Sequence, residues 1–112
     1  MKKTHQTAPH YKWGEDCDGW RLVDQAELSV ISERMPPLTE EVRHYHQYAR
    51  QFFYVLKGTL TIAIEGQVTN LLEGEGYEVA PTILHQVQNR SNEHVHFLVT
   101  SQPSTKGDRV EG

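Results

Sequence analysis

Val42-Arg43-His44-Tyr45-His46-Gln47-Tyr48-Ala49-Arg50-Gln51-Phe52-Phe53-Tyr54-Val55-Leu56-Lys57-Gly58 is the stretch from which the fold of this chain can be read. On a β-strand successive side chains alternate faces, so His44 and His46 point the same way. A turn-like Gln47–Arg50 follows, then a run rich in aromatic and β-branched residues, which favour strands. The same alternation puts Gln51, Phe53 and Val55 on one face of that second strand. Gly58 permits a tight turn into the next segment. Two imidazoles on one face, followed by a returning polar residue, is the pattern of a metal site inside a β-barrel, and a further histidine, His85, lies downstream.

Outward from this stretch the chain continues in short extended runs separated by turn signals. Trp20–Val23, Glu27–Met35, Val42–His46, Gln51–Leu56, Thr59–Ile64, Gln67–Leu72, Tyr77–Pro81, Ile83–Gln88 and His94–Ser101 read as strands, with Glu65-Gly66 as a hairpin turn. No segment keeps a helical period. This spacing predicts an all-β, single-domain barrel or sandwich over residues 20–102. Residues 1–19 read as a polar arm that Trp13 and Trp20 staple to the body, and residues 103–112 as a polar, mobile tail.

The chain's 112 residues suffice for a single core. Its net charge of −4 is spread without a basic stripe, which excludes a nucleic-acid reading. Its single cysteine, Cys17, allows no internal disulfide and fits a reducing compartment. Acidic neighbours are expected to keep Cys17 a thiol. No apolar run approaches the ~20 residues needed to span a bilayer, and no apolar leader is visible, so a cytoplasmic location is expected. No Ser-His-Asp order, phosphate-binding loop or Cys-x-x-Cys is present. Seven histidines point instead to metal or acid–base chemistry.

His44-x-His46-x4-Gln51-x6-Gly58 and Gly74-x5-Ala80-x-Thr82-x2-His85-x3-Asn89 resemble the paired motifs of the cupin superfamily, G-x5-H-x-H-x3,4-E-x6-G and G-x5-P-x-G-x2-H-x3-N. Gln51 stands in place of the glutamate, Ala80 and Thr82 in place of the proline and glycine, and Leu38 or Glu41 where a leading glycine would be. The resemblance implies a cupin barrel (double-stranded β-helix, or jelly roll, of antiparallel strands). It implies one divalent transition metal per chain (Fe, Mn, Ni, Zn or Cu) held by His44, His46 and His85, with Gln51 in the fourth position. Gln51 either ligates directly or hydrogen-bonds beside the ligands. An amide oxygen is a weaker donor than carboxylate and leaves the ion's full +2 charge in place, which favours an anionic substrate.

The implied activity is that of a metal-dependent small-molecule enzyme, dioxygenase-like or an isomerase or lyase, acting on an enol, diol or carboxylate metabolite. The alternative is a non-catalytic, metal-assisted binder of a sugar or other metabolite. Phe53, Val55, Val87 and Phe97 are expected to line the barrel and wall the substrate pocket. No general base stands out; Tyr54, Gln86 and His94 are the candidates. His94 and His96 alternate with Val95 and Phe97 and are expected to face outward. Asn89 is expected to serve the turn at its strand end, and Arg50 to reach the barrel mouth or pair with a carboxylate. His5 and His10 fall on the arm. The resemblance also implies a homodimer.

Overall fold

A computed structural model describes Met1–Gly112. The chain folds without a helix, as twelve strands: β1 (His10–Trp13), β2 (Cys17–Asp24), β3 (Ser29–Met35), β4 (Thr39–Glu40), β5 (His44–His46), β6 (Arg50–Lys57), β7 (Leu60–Ile64), β8 (Gln67–Leu71), β9 (Gly76–Val79), β10 (Gln86–Asn89), β11 (Val95–Gln102) and β12 (Arg109–Glu111). A six-stranded sheet in the order β1-β2-β3-β11-β6-β9 faces a four-stranded sheet in the order β4-β10-β7-β8, and β12 pairs with β5 alone. Every pairing is antiparallel. No helix is long and apolar enough to cross a membrane.

Alternation decides what each strand buries. Along β6, Gln51, Phe53 and Val55 are buried, while Arg50, Phe52, Tyr54 and Leu56 are exposed. Along β11, Val95, Phe97, Val99 and Ser101 are buried. Phe53, Val55, Val95, Phe97 and Val99 meet Leu60, Ile62, Leu71 and Val87 of the opposite sheet in one core that also holds Met35, Val79 and Cys17. The β6–β7 turn requires a glycine: Gly58 sits at φ +87°, and a Cβ there would come within 2.7 Å of the His94 carbonyl oxygen. Glu65 and Gly66 both have positive φ, as a two-residue type I′ hairpin between β7 and β8 needs.

Three expectations differ from the structure. Residues 1–19 do not form a separate arm. β1 and β2 form a hairpin on the edge of the large sheet, so a boundary at residue 19 falls inside β2. His5 stacks on Trp20 with ring centroids 3.8 Å apart and bonds the Ser32 hydroxyl at 3.0 Å, and His10 bonds Asp18 at 2.7 Å. The strand expected over Val42–His46 is shortened to the three residues of β5. The tail from residue 103 is not loose either, since it returns to the barrel and adds β12. Cys17 is fully buried, and burial more than its acidic neighbours raises the thiol's pKa.

Candidate metal centre

β5 carries His44 and His46 inward, both buried, with the half-buried Tyr45 between them on the opposite face. The segment before β10 brings in His85. Its backbone is tied to that of His44 by two hydrogen bonds, His44 N to His85 O at 3.0 Å and His85 N to His44 O at 2.9 Å. Thr82, where the cupin pattern has glycine, holds φ +70° and donates its amide to His46 O at 2.7 Å. A left-handed conformation is unfavourable for a β-branched residue, so this corner is strained.

The side chains converge. One ring nitrogen from each of His44, His46 and His85 lies within 4.8 Å of the others, and all three residues are buried. His44 Nδ1 donates to Val42 O and His85 Nδ1 to Ile83 O, both at 2.8 Å. Those bonds place the proton on Nδ1 and leave Nε2 with its lone pair. Gln51 Nε2 donates to Ser101 Oγ at 3.1 Å, which leaves the amide oxygen free. His85 Nε2, His46 Nδ1 and Gln51 Oε1 are buried without any hydrogen-bond partner. Orphaned buried polar atoms are rare in folded proteins because each costs about 1–3 kcal/mol. The His85 Nε2 and Gln51 Oε1 lone pairs, together with the convergence of the three imidazoles, fit a divalent cation, while His46 Nδ1 lies toward the Asp108 backbone. Burial pushes His44 down to about 3, His46 down to about 4 and His85 below its ordinary value, so the rings stay neutral, the form that binds metal.

A cavity of about 210 Å³ opens beside His44, His46 and Gln51. Ile31, Phe53 and Val99 give it apolar walls, and Glu33, Glu41, Tyr11 and Trp13 line it as well. Thr105 and Arg109 enter from the C-terminal segment. Of the expected substrate-wall residues, only Phe53 is there, its ring centroid 6.0 Å from that of His85. Val55, Val87 and Phe97 face inward but lie in the packed core, because alternation sets the face of a strand and not the depth along the barrel.

The expected general-base candidates lie elsewhere. Tyr54 is exposed on the outer face, Gln86 bonds Glu40 and the Glu41 carbonyl oxygen, and His94 pairs outward with Arg34. Arg50 pairs with Glu78 at 2.5 Å on the outside. Asn89, fully buried, donates to the carbonyls of Met35, Pro36 and Glu93 and accepts from Ser91, locking the turn after β10.

The titratable groups in the cavity are ones that sequence reasoning passed over. Burial pushes Glu33 up to about 7 and Glu41 up to about 8. Glu41 accepts the Val87 amide at 3.0 Å and lies 3.7 Å from His44 Nδ1. Tyr11 donates to Glu33 Oε2 at 3.3 Å. It reaches that carboxyl by lying across Gly19, the register partner of both residues; a Cβ on Gly19 would sit 2.3 Å from the Tyr11 ring. The Arg21 guanidinium stacks on the same ring at 4.5 Å. The signals available in sequence were slight: Glu33 shares strand parity with Ile31, and Glu41 stands near the leading-glycine position.

These shifts set an opposed pH dependence for the metal-free protein. Between about 4 and 6.5 the unfolded chain binds protons that folded-state His44 and His46 refuse, with His85 and His96 shifted in the same direction, so stability rises with pH. Glu33 and Glu41 act in the opposite sense from 4.5 upward, because the folded state retains protons that the unfolded chain has released. The four histidines outweigh the two carboxyls until they titrate in the unfolded chain near 6.5, after which the carboxyls set the direction. Thermal melts in chelator are expected to give a stability maximum near pH 6.5, with a fall toward pH 8 that Glu41→Gln flattens. A melting temperature that keeps rising to pH 8 would contradict these assignments.

A family model described as "Cupin domain" matches residues 32–101. Among curated proteins, the polyketide synthase CurC of Streptomyces cyaneus is 27% identical over 60 residues, which is 54% of this chain and 39% of that relative. The chain thus matches about two-fifths of the length of this relative. A cupin-superfamily sugar phosphate isomerase from Silicibacter pomeroyi superposes with a TM-score of 0.80 at 20% identity, over 93% of this chain and 76% of that one. The polyketide cyclase RemF from Streptomyces resistomycificus gives 0.78 at 16% identity, over 93% and 80%. At such identities the structural likeness establishes the double-stranded β-helix fold. The family match runs from β3 through β11, across both histidine-bearing segments and most of the barrel, and on that ground this chain belongs to the cupin family.

Proposed function

We propose that this chain is a mononuclear, metal-dependent enzyme that moves a proton on a small enol, diol or carboxylate metabolite, as an isomerase, cyclase or lyase does. The observation that carries this reading is the placing of three converging buried imidazoles beside a cavity that also holds a carboxyl whose affinity for a proton lies near neutrality. His44, His46 and His85 would hold a divalent ion, with Gln51 Oε1 as the fourth donor. The ion would supply Lewis-acid polarisation of a substrate oxygen. With four neutral donors the full +2 charge faces the cavity, which suits an anionic substrate.

The chain's own residues do the rest. Glu33 holds or yields a proton near neutral pH, the range in which general acid–base catalysis is most effective. The Tyr11 hydroxyl fixes the orientation of that carboxyl. Phe53, Val99, Ile31 and Trp13 limit water in the cavity. A proton-carrying carboxyl of this kind shifts the balance of the sequence reading from oxygenase toward isomerase or lyase. A sugar phosphate isomerase and a polyketide cyclase on the same fold are compatible with that shift. As an assembly we propose a homodimer, supported by the exposed Phe52, Tyr54 and Leu56 on the outer face of the large sheet.

Protein prepared without a histidine tag is expected to hold about one equivalent of divalent metal per chain. When loaded, it is expected to exchange solvent deuterium into enolisable keto acids, diketones or sugar phosphates. Glu33→Gln should lose the exchange and keep the metal. Oxygen uptake with the Fe²⁺ form would favour an oxygenase instead. Ligand-induced thermal shifts without exchange or oxygen uptake would make the protein a binder.

A further inference from the structure

β12 pairs residue for residue with the strand of the first motif: Arg109 opposite His46, Val110 opposite Tyr45, Glu111 opposite His44. β5 is only three residues long. On its other side it has the His44–His85 bridge and the Thr82-to-His46 bond, so without β12 one whole edge of the strand is unpaired. The ends of this pairing are tied as well. The Gly112 amide donates to Arg43 O at 3.2 Å, Arg43 Nε donates to Gly112 O at 3.1 Å, and an Arg109 amino group donates to Val42 O at 3.2 Å.

Asp108 makes the tightest link. Its carboxylate collects three successive backbone amides: Gln47 at 2.9 Å and Tyr48 at 3.1 Å on Oδ1, Tyr48 at 3.1 Å and Ala49 at 2.9 Å on Oδ2. Burial works against the ionised form of this carboxyl, but the three amides outweigh it and keep the group a carboxylate. Successive amides aimed at one point form an anion-binding concavity, and here the anion is part of the chain. Residues 47–49 are the turn between His46 and Gln51. If the Asp108 side chain is removed, the amides of Tyr48 and the buried Ala49 lose their acceptor, and that of Gln47 keeps only the Asp108 backbone oxygen at 3.3 Å. The turn that sets the angle between two of the four donors is then free to relax.

We propose that Asp108 is a positioning residue for the metal centre, so that docking of residues 105–111 and occupancy of the site form one linked equilibrium. The inference rests on the metal-binding reading above. By linkage, whatever factor the docked segment adds to metal affinity, the metal returns to docking. The same segment brings Arg109, the only guanidinium on the cavity wall, so an undocked tail also leaves the cavity open on that side.

The test uses the full-length chain and Zn²⁺. In the wild type, Zn²⁺ is expected to slow amide hydrogen exchange at residues 47–49 and 108–112 by about tenfold or more. Asp108→Asn should weaken Zn²⁺ binding about 10- to 100-fold by calorimetry, the usual cost of losing a group that orients ligands. Asp18→Asn is the control. Asp18 is also buried, bonded to His10, Arg34 and the Lys12 ammonium, but at the N-terminal hairpin, so its loss should lower the melting temperature and leave Zn²⁺ affinity unchanged. If Zn²⁺ binds the wild type without slowing exchange at 108–112, the inference is overturned whether or not the Asp108 variant folds. Equal Zn²⁺ affinity in Asp108→Asn and wild type overturns it too. A wild type that binds no Zn²⁺, Mn²⁺, Ni²⁺ or Fe²⁺ removes the metal reading, and this inference with it.

Discussion

His46→Ala is expected to abolish metal binding, with apparent affinity falling by more than about 100-fold, beyond the usual cost of disturbing a ligand's support. The residue is buried in β5, one of its ring nitrogens has no partner, and its neighbours His44 and His85 cannot move to replace it because their Nδ1 atoms are fixed to backbone carbonyls. His94→Ala is the matched comparison. His94 belongs to the chain's other His-x-His, but it faces out and pairs with Arg34, so its loss should leave metal content as in the wild type. Equal losses in the two variants would mean that the bound metal is not in the barrel. In the same titration Gln51→Glu is expected to tighten binding, since a carboxylate replaces a neutral donor whose oxygen now has no partner. Unchanged affinity would show that residue 51 does not touch the ion.

Phe97→Ala is expected to cost about 3–5 kcal/mol, measured as the loss of unfolding free energy in urea. Domains of this size are stable by about 5–15 kcal/mol in all, so the loss is a large fraction of the total and should move the urea midpoint well below that of the wild type. Phe97 is fully buried on β11, in register with Glu33 of β3 and Val55 of β6, and its ring centroid is 6.3 Å from that of Phe53. Truncation would therefore leave a void behind the strand that carries Glu33 and behind the ring that walls the cavity. Val68→Ala, exposed on β8 of the small sheet, should stay within about 0.5 kcal/mol of wild type. A similar cost for the two would mean that the core does not lie where the burial places it.

What the sequence disclosed, it disclosed through period-2 alternation and motif spacing. Those two signals place His44 and His46 on one face, turn Gln51, Phe53 and Val55 inward together, and send His94 and His96 outward. They also give the strand list within a residue or two for most of the barrel. They do not report depth, and so Val55, Val87 and Phe97 were expected in a pocket wall when they belong to the packing beneath it. They do not report pairings across the chain. Arg109-Val110-Glu111 is too short and polar to look like a strand, and nothing local tells that the Asp108 carboxylate caps a turn far earlier in the chain. A carboxylate on a strand ordinarily signals a solvated face. Glu33 on β3 escapes that rule, and Glu41 in the segment between β4 and β5 is buried likewise, because the barrel has an inside with room for them, which only the assembled fold makes evident.

The meeting of Gly112 with Arg43 has a practical consequence. The Gly112 amide bonds the residue immediately before His44, so a polyhistidine tag joined at this position would start beside the first of the proposed metal ligands. Tethered at that distance, its imidazoles would compete for the ion at high effective concentration. They could fill the open coordination positions or strip the site during nickel-affinity purification. Metal counts, inhibition and apparent inactivity measured on such a fusion would then describe the tag as much as the protein.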